Sequence, residues 1–187
     1  MIICSDLVFI HNLRTSGTNI TGFISKNCDV EKVVPHLRYN EVLPEDIETF
    51  KDKYIFGFVR NPYERELSLY TYIKNNFNHR GLDQGTFKDY VMSPIFKYMR
   101  RQWVWFADAN DQIPSNINIF KYEDRDNAID TIAANVPSID GDLLKNFTSH
   151  RNKFDDTSNY QDHYDQEMVD FITPYFQKDI ELFDYKF

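Results

Sequence analysis

The stretch LVFIHNLRTSGTNITG, residues 7–22, predicts a strand, a polar loop and the start of a helix. Its first four residues are apolar and β-branched or aromatic in the main, as in a buried strand of a parallel sheet. Polar residues follow from His11 onward, and apolar residues then return with helical spacing. We therefore expect a strand over 7–10 and a helix that begins near Gly17 or Thr18.

This order of strand, polar loop and helix holds phosphate or sulfate groups in many proteins. The first turn of a helix has N–H groups without acceptors and a partial positive charge. The loop adds the guanidinium of Arg14 and the hydroxyls of Thr15, Ser16 and Thr18. A plain capped helix, with Ser16 or Thr15 as its N-cap residue, explains the same pattern. The loop lacks the Gly-Lys-Ser/Thr of an ATP- or GTP-hydrolysing phosphate loop, which argues against that class.

Two further apolar runs, over 54–59 and 117–120, predict buried strands separated by helical segments. This alternation indicates an α/β fold with a central parallel sheet flanked by helices. Ligands of such sheets bind at the carboxyl ends of the strands. The first strand ends shortly before Arg14 and the second ends at Arg60, so both arginines should open onto the same edge.

Helical segments are predicted between and after the strands. Asn61 should cap the helix that follows the second strand, with Pro62 as its first residue. A hairpin-like start is expected at Ser5-Asp6, before the first apolar run. The predicted helices cover 17–26, a short segment from 44, 62–75, 86–107 in two pieces split at Pro94, 123–136, 140–147, and 165–183 with an interruption or kink at Pro174.

Composition limits the classes of partner. The 187 residues suffice for one α/β domain, 1–187, and are few for two. The formal net charge of −8 argues against nucleic acid as the main partner. Cys4 and Cys28 make neither a disulfide framework nor a metal cluster, so a reducing, cytoplasmic setting without a bound metal is expected. No apolar run is long enough for a membrane span, and no signal peptide precedes the first strand.

Two stretches resemble motifs of one enzyme family. IHNLRTSGTNI, residues 10–20, resembles the 5′-phosphosulfate loop of sulfotransferases that use 3′-phosphoadenosine 5′-phosphosulfate (PAPS). The likeness is to the carbohydrate-sulfotransferase-like branch and its bacterial relatives. FVRNPYERELSLY, residues 58–70, resembles the 3′-phosphate element of the same family, with Arg60 and Ser68 at its Arg and Ser positions. Weaker similarities lie at Arg101-Gln102, at FKYED and at DIELFDY near the end of the chain.

The resemblance implies a sulfotransferase fold, similar to that of P-loop NTPases. It also implies transfer of a sulfuryl group from PAPS to a hydroxyl acceptor, a carbohydrate or a small molecule. The cofactor-binding residues that it implies are Arg14, Thr15, Ser16, Gly17, Thr18, Asn19, Arg60 and Ser68.

The implied reaction needs a positive charge beside the leaving oxygen and a base for the acceptor hydroxyl. Arg14 stands where the family has lysine, and it can supply charge but donates a proton poorly at neutral pH. His36 lies between the two phosphate motifs, where the carbohydrate branch often has its histidine base. An exposed loop histidine is the alternative. Glu64 and Glu123 are the runner-up bases, and His11 is expected to be structural.

Two departures from the family pattern leave alternatives open. Ser16 replaces the first of two glycines and must adopt either an ordinary φ or a strained one. The replacement of lysine by Arg14 keeps open a non-catalytic module that retains the fold and binds a nucleotide or a partner. A phosphotransferase is a third, disfavoured alternative.

The basic cluster His150, Arg151 and Lys153 forms a solvated loop or closes over the nucleotide.

Overall fold

One five-stranded sheet runs through the part of the chain that the computed structural model describes, residues 1–77, 85–93, 101–149 and 159–187. The strands are β1 (Ile2–Cys4), β2 (Leu7–Ile10), β3 (Val30–Val33), β4 (Tyr54–Val59) and β5 (Ile117–Lys121), in the spatial order β3-β1-β2-β4-β5. The strands predicted over 7–10 and 54–59 are confirmed, and the one predicted over 117–120 ends one residue later.

The sheet is mixed, whereas the sequence predicted a parallel one. Its core is parallel: β2 pairs with β4, with Ile10 opposite Gly57, and β4 pairs with β5. β1 is antiparallel to both β2 and β3. The hairpin-like start at Ser5-Asp6 is confirmed and reverses the chain between β1 and β2. The sequence did not predict β3 because Val30–Val33 is mostly exposed and has charged middle residues, unlike a buried strand.

Helices occupy most of the remaining described chain. They are α1 (Gly17–Asn27), α2 (Pro44–Glu48), α3 (Pro62–Phe77), α4 (Phe87–Met92), α5 (Arg125–Asn135), α6 (Gly141–Ser149) and α7 (Gln166–Phe183). Of the interruption or kink predicted at Pro174, the interruption is absent, because α7 continues through that residue. The kink stays a prediction.

The helix predicted over 86–107 is only partly confirmed. Its first piece is α4, and residues 94–100 lie outside the described ranges. The described end of the second piece is a single 3₁₀ turn, Trp103–Trp105, instead of an α-helix. The N–H groups of Gln102 and Trp103 donate to the carboxylate of Asp179, so they are not used in α-helical bonds.

The described chain divides into two compact units. The first holds Met1–Val59 and the described part of Val104–Asn152, and so contains the sheet, α1, α2, α5 and α6. The second holds the described parts of Arg60–Trp103 and Lys153–Phe187, with α3, α4 and α7. The single domain expected from the chain length stays a prediction.

The core of the first unit fixes α1 against the sheet. Phe9 of β2 and Phe56 of β4 are fully buried, with ring centroids 5.1 Å apart. Ile20 and Phe23 of α1 and Ile129 of α5 belong to the same apolar cluster. Burial of such side chains stabilises a fold by about 1.5–3 kcal/mol each. The polar loop between β2 and α1 is therefore anchored by buried residues on both sides.

The second unit has its own core, and α3 begins in it as predicted. The Asn61 side chain accepts a hydrogen bond from the Tyr63 N–H at 3.0 Å, which confirms it as the cap of α3. Its amide also donates to the Tyr160 hydroxyl at 3.1 Å. Tyr63 and Phe176, with ring centroids 5.2 Å apart, pack α3 against α7.

Candidate functional site

The loop after β2 is tied to the sheet by buried polar groups. The Asn12 side chain is fully buried and donates to the Phe58 carbonyl at 3.1 Å, which links the loop to β4 beyond the last paired residue of β2. The Thr15 hydroxyl donates to the Asn12 carbonyl at 3.0 Å. Because this hydroxyl donates within the loop, the backbone N–H is the group that Thr15 offers to an anion. The bond from Asn12 to β4 holds the loop at the carboxyl end of β2.

The backbone of the loop alternates between two conformations. Arg14 has φ 61° and Ser16 has φ 64°, both left-handed, whereas φ of Thr15 and Gly17 is not positive. Alternation of this kind turns successive N–H groups into one concavity, a nest that binds anions. The nest runs directly into α1, where the Asn19 N–H donates to the Ser16 carbonyl at 3.0 Å and the N–H groups of Gly17 and Thr18 precede the first helical hydrogen bond. Between the two conformations expected for Ser16, the structure has the strained one.

Ser16 occupies the N-cap position of α1, yet its side chain makes no capping hydrogen bond. The Thr15 hydroxyl, the other candidate for this role, bonds to Asn12. The capped helix that offered a plain explanation of this loop therefore lacks the hydrogen bond that defines it. Thr18 is exposed in the first turn and Asn19 is buried there.

His11 packs directly against the start of α1. A Cβ on Gly17 would lie 2.0 Å from Cδ2 of His11, so only glycine allows this approach. The imidazole forms a hydrogen bond with the Thr21 hydroxyl at 3.3 Å. Burial, together with the neighbouring His36 and the N-terminal amine, lowers the pKa of His11 to about 4. His11 is thus neutral near pH 7, in agreement with a structural role.

His36 lies beside His11. The two ring centroids are 5.4 Å apart, and the centroid of Trp105 lies 6.4 Å from that of His36. His36 is exposed and has φ 55°, again left-handed. Arg38 lies over the Trp105 ring at 5.7 Å. The structure therefore brings His36, predicted only from its place in the sequence, to the histidine that contacts Gly17.

In the second unit, Arg60 is held beside a carboxylate. Its Nη2 lies 2.6 Å from Oε1 of Glu64, and only 8% of the Arg60 side chain is exposed. An anion bound there would compete with Glu64 for the guanidinium. Ser68 is fully buried, and Glu123 is exposed in a 3₁₀ turn of the first unit.

A buried amide holds the backbone of Arg60. The Arg60 N–H donates to Oε1 of Gln102 at 2.9 Å, and Nε2 of Gln102 donates to the Arg60 carbonyl at 2.7 Å. Asp179 of α7 accepts the N–H groups of Gln102 and Trp103, each at 2.8 Å. Burial raises the pKa of Asp179 to about 6, although these N–H bonds and two nearby arginines favour its charged form.

The sequence alone did not predict the contact of Trp105 with His36 or the hydrogen bonds around Arg60. Nothing local to Trp105 signals its approach to His36, because the two residues lie far apart in the chain. Arg101-Gln102 and the segment 179–185 carry only weak sequence similarities, whereas the structure bonds Gln102 to Arg60 and Asp179 to Gln102.

Several expectations concern metals, membranes and the basic cluster. Within the described ranges, no three His, Cys, Asp or Glu side chains are grouped as a metal site would require. None of the described helices combines the length and apolar character needed to cross a bilayer. His150, Arg151 and Lys153 lie outside the described residues.

Comparison of the chain with protein-family models, with curated proteins and with solved structures returned no match.

The strain at Ser16 predicts a stabilising substitution. Ser16→Gly should raise the free energy of unfolding by about 0.5–1 kcal/mol, because glycine adopts φ 64° without a Cβ penalty. Ser16→Ala is the matched control and should bring no gain, since alanine carries the same Cβ. Urea denaturation measures both. Equal stability of the Gly and Ala variants would contradict a strained backbone at this position.

The depressed pKa of His11 predicts a pH dependence of stability. Its folded pKa of about 4 lies below the ordinary 6.5, so its contribution is complete above pH 6.5 and is lost as the pH falls towards 4. An NMR titration should show the His11 imidazole unchanged between about pH 8 and pH 5.5. His11→Asn should lose this part of the pH dependence in urea denaturation. Titration of His11 near pH 6.5 in the folded protein would refute its burial.

Proposed function

We propose that this chain is a PAPS-dependent sulfotransferase, which transfers a sulfuryl group to a hydroxyl of a carbohydrate or small molecule. The observation that carries the proposal is the left-handed backbone at Arg14 and Ser16 directly before α1. An anion-binding nest at a helix N-terminus suits the 5′-phosphate of such a nucleotide. A cytoplasmic location, inferred from the two cysteines, belongs to the same proposal.

Residues 14–19 take the 5′-phosphosulfate in this proposal. The N–H groups of the nest and of the first turn of α1 bind the phosphate oxygens, and the exposed Thr18 hydroxyl adds a donor. Arg14 supplies a full charge to the oxygen that bridges phosphate and sulfate. His11 stays neutral and packs against Gly17, which keeps the loop in place without adding charge.

The 3′-phosphate is assigned to Arg60 and Ser68 by the sequence resemblance. Arg60 follows Val59, the last residue of β4, directly in the chain. Its guanidinium pairs with the Glu64 carboxylate, so a bound 3′-phosphate would share this guanidinium with Glu64 or displace it. Ser68 is fully buried, and Arg60 is therefore the residue on which the test of this assignment rests.

The reaction follows an in-line displacement at sulfur. The acceptor oxygen forms a bond to sulfur while the bond from sulfur to the bridging oxygen breaks, and its electron pair stays on the phosphate of adenosine 3′,5′-bisphosphate. His36 takes the proton of the acceptor hydroxyl. The charge that develops on the bridging oxygen is stabilised by Arg14 and the loop N–H groups. Positioning and electrostatics supply most of the catalysis in such transfers.

A second candidate is a nucleotide-binding module without transferase activity. The observation that favours it is Arg14 in place of the family lysine, because arginine does not protonate a leaving oxygen readily. Incubation with PAPS and a panel of sugars and phenols separates the two. A transferase releases adenosine 3′,5′-bisphosphate in step with a sulfated acceptor, whereas a module binds the nucleotide and releases nothing.

Two nucleotides test the phosphate assignments by calorimetry. Arg14→Ala should weaken adenosine 3′,5′-bisphosphate and adenosine 5′-monophosphate (AMP) alike, by about ten- to a hundred-fold. Arg60→Ala should weaken the bisphosphate by a similar factor and leave AMP unchanged, because AMP has no 3′-phosphate. Lys51→Ala is the control, since Lys51 precedes β4 and so lies towards the opposite edge of the sheet from the loop.

The pattern across the two nucleotides decides the outcome. If Arg60→Ala weakened both nucleotides equally, its side chain would not read the 3′-phosphate. If the wild-type protein bound neither nucleotide, the proposed function would be refuted.

The proposed base has a distinct kinetic signature. His36→Ala should lower kcat by about 10²–10⁴ while the affinity for adenosine 3′,5′-bisphosphate is retained. Arg38→Ala is the matched comparison, because Arg38 lies over the ring of Trp105, the aromatic neighbour of His36. This variant should retain most of kcat. Turnover of His36→Ala at the wild-type rate over roughly pH 6–9 would exclude His36 as the base.

A further inference from the structure

The buried residues Gln102 and Asp179 have no role in the proposed chemistry. Gln102, however, bonds to Arg60, which has one. Both side chains are fully buried in the second unit. Burial of an amide or a carboxylate costs free energy unless hydrogen bonds compensate for it. The raised pKa of Asp179 indicates that its charge is not fully compensated. A buried charge of this kind is weak evidence for a stabilising role.

The hydrogen bonds of Gln102 end on Arg60. Its side-chain amide accepts from the Arg60 N–H and donates to the Arg60 carbonyl, as a neighbouring strand would do. Both polar groups of the Arg60 backbone are therefore bonded to a single side chain. This pair of bonds fixes the orientation of the peptide groups on either side of Arg60, and with it the direction in which the arginine side chain leaves the backbone.

Gln102 is in turn held by α7. Oδ2 of Asp179 accepts the Gln102 N–H and Oδ1 accepts the Trp103 N–H. The ammonium group of Lys178 lies 3.5 Å from the centroid of the Trp103 ring. Adjacent residues of one helix thus hold both the backbone and a side chain of the 102–103 segment.

The Arg60 guanidinium has a fixed partner of its own. Its pairing with Glu64, one helical turn later, holds the far end of the side chain at 2.6 Å. Arg60 is accordingly held at the backbone by Gln102 and at the guanidinium by Glu64. An arginine held in this way has less conformational freedom to lose when it binds a phosphate.

We propose that Gln102, held by Asp179, is a positioning residue that orients Arg60 for the 3′-phosphate of the nucleotide. The inference rests on the proposed function, because it assumes that Arg60 binds this phosphate. Gln102 acts through the backbone of Arg60 and does not touch the ligand. Its effect is therefore confined to ligands that carry a 3′-phosphate.

The test compares two nucleotides with Gln102→Met, which keeps the side-chain volume and removes both hydrogen bonds to Arg60. The variant should bind adenosine 3′,5′-bisphosphate about tenfold more weakly and bind AMP as the wild type does. A merely structural role would weaken both nucleotides together. Gln177→Met is the matched control, because Gln177 is exposed on α7 and bonds only to Glu181 among the described residues.

A double-mutant cycle shows whether the effect passes through Arg60. In the Arg60→Ala background, Gln102→Met should no longer change the affinity for the bisphosphate. Asp179→Asn keeps one acceptor oxygen and should give a smaller change in the same direction, and it serves if Gln102→Met does not fold.

The possible failures are distinguishable. If wild-type protein does not bind the bisphosphate, the proposed function fails. If Arg60→Ala weakens bisphosphate binding while folded Gln102→Met and Asp179→Asn bind it as tightly as the wild type, the positioning role is overturned and the proposed function stands. A loss that persists in the Arg60→Ala background also overturns the positioning role.

Discussion

The parallel pairing of β2 with β4 is the constraint on which the first unit depends. It aligns Ile10 with Gly57, and a Cβ on Gly57 would lie 2.9 Å from the Ile10 carbonyl oxygen and 2.4 Å from the Phe106 ring. The absence of a side chain at this position allows the two strands and the aromatic ring to approach. The Asn12 side chain then extends the contact to the Phe58 carbonyl. The polar loop begins at a fixed place because these contacts leave it little freedom.

Backbone strain is concentrated around this loop. The described residues include five non-glycine positions with positive φ, and three of them are Arg14, Ser16 and His36. Strained conformations persist where the surrounding structure enforces them, and they gather at binding sites. Here the enforcing contacts are Asn12 on one side of the loop and the packing of His11 on Gly17 on the other. The strain and the proposed anion site therefore have the same structural origin.

Local patterns in the sequence predicted the parts of the structure that depend on local forces. The apolar runs at 7–10 and 54–59 became strands because burial on both faces selects such residues. The edge strand β3 was missed because an exposed strand needs no apolar pattern. The predicted helix near residue 103 failed because a carboxylate from α7 accepts the N–H groups that a helix would use.

The candidate site likewise has one part that the local sequence predicted and another that depends on how the chain folds. The loop between β2 and α1 is contiguous in the chain, so local residue types alone predicted its place between a strand and a helix. The approach of His36 to His11 and Trp105 comes from chain folding, and no spacing in the sequence encodes it. The bonds from Gln102 to Arg60 and from Asp179 to Gln102 join residues 42 and 77 positions apart. Contacts of that separation follow from the tertiary fold and are visible only in the structure.

In the proposed function, the backbone from Arg14 to Asn19 forms the anion site. The most direct test is an NMR titration of ¹⁵N-labelled protein with adenosine 3′,5′-bisphosphate, followed at each backbone amide. The largest shifts should fall on the amides of residues 14–19, because N–H groups of this segment bind the phosphate. Saturable binding that leaves these amides unshifted, with the changes gathered elsewhere, would contradict it.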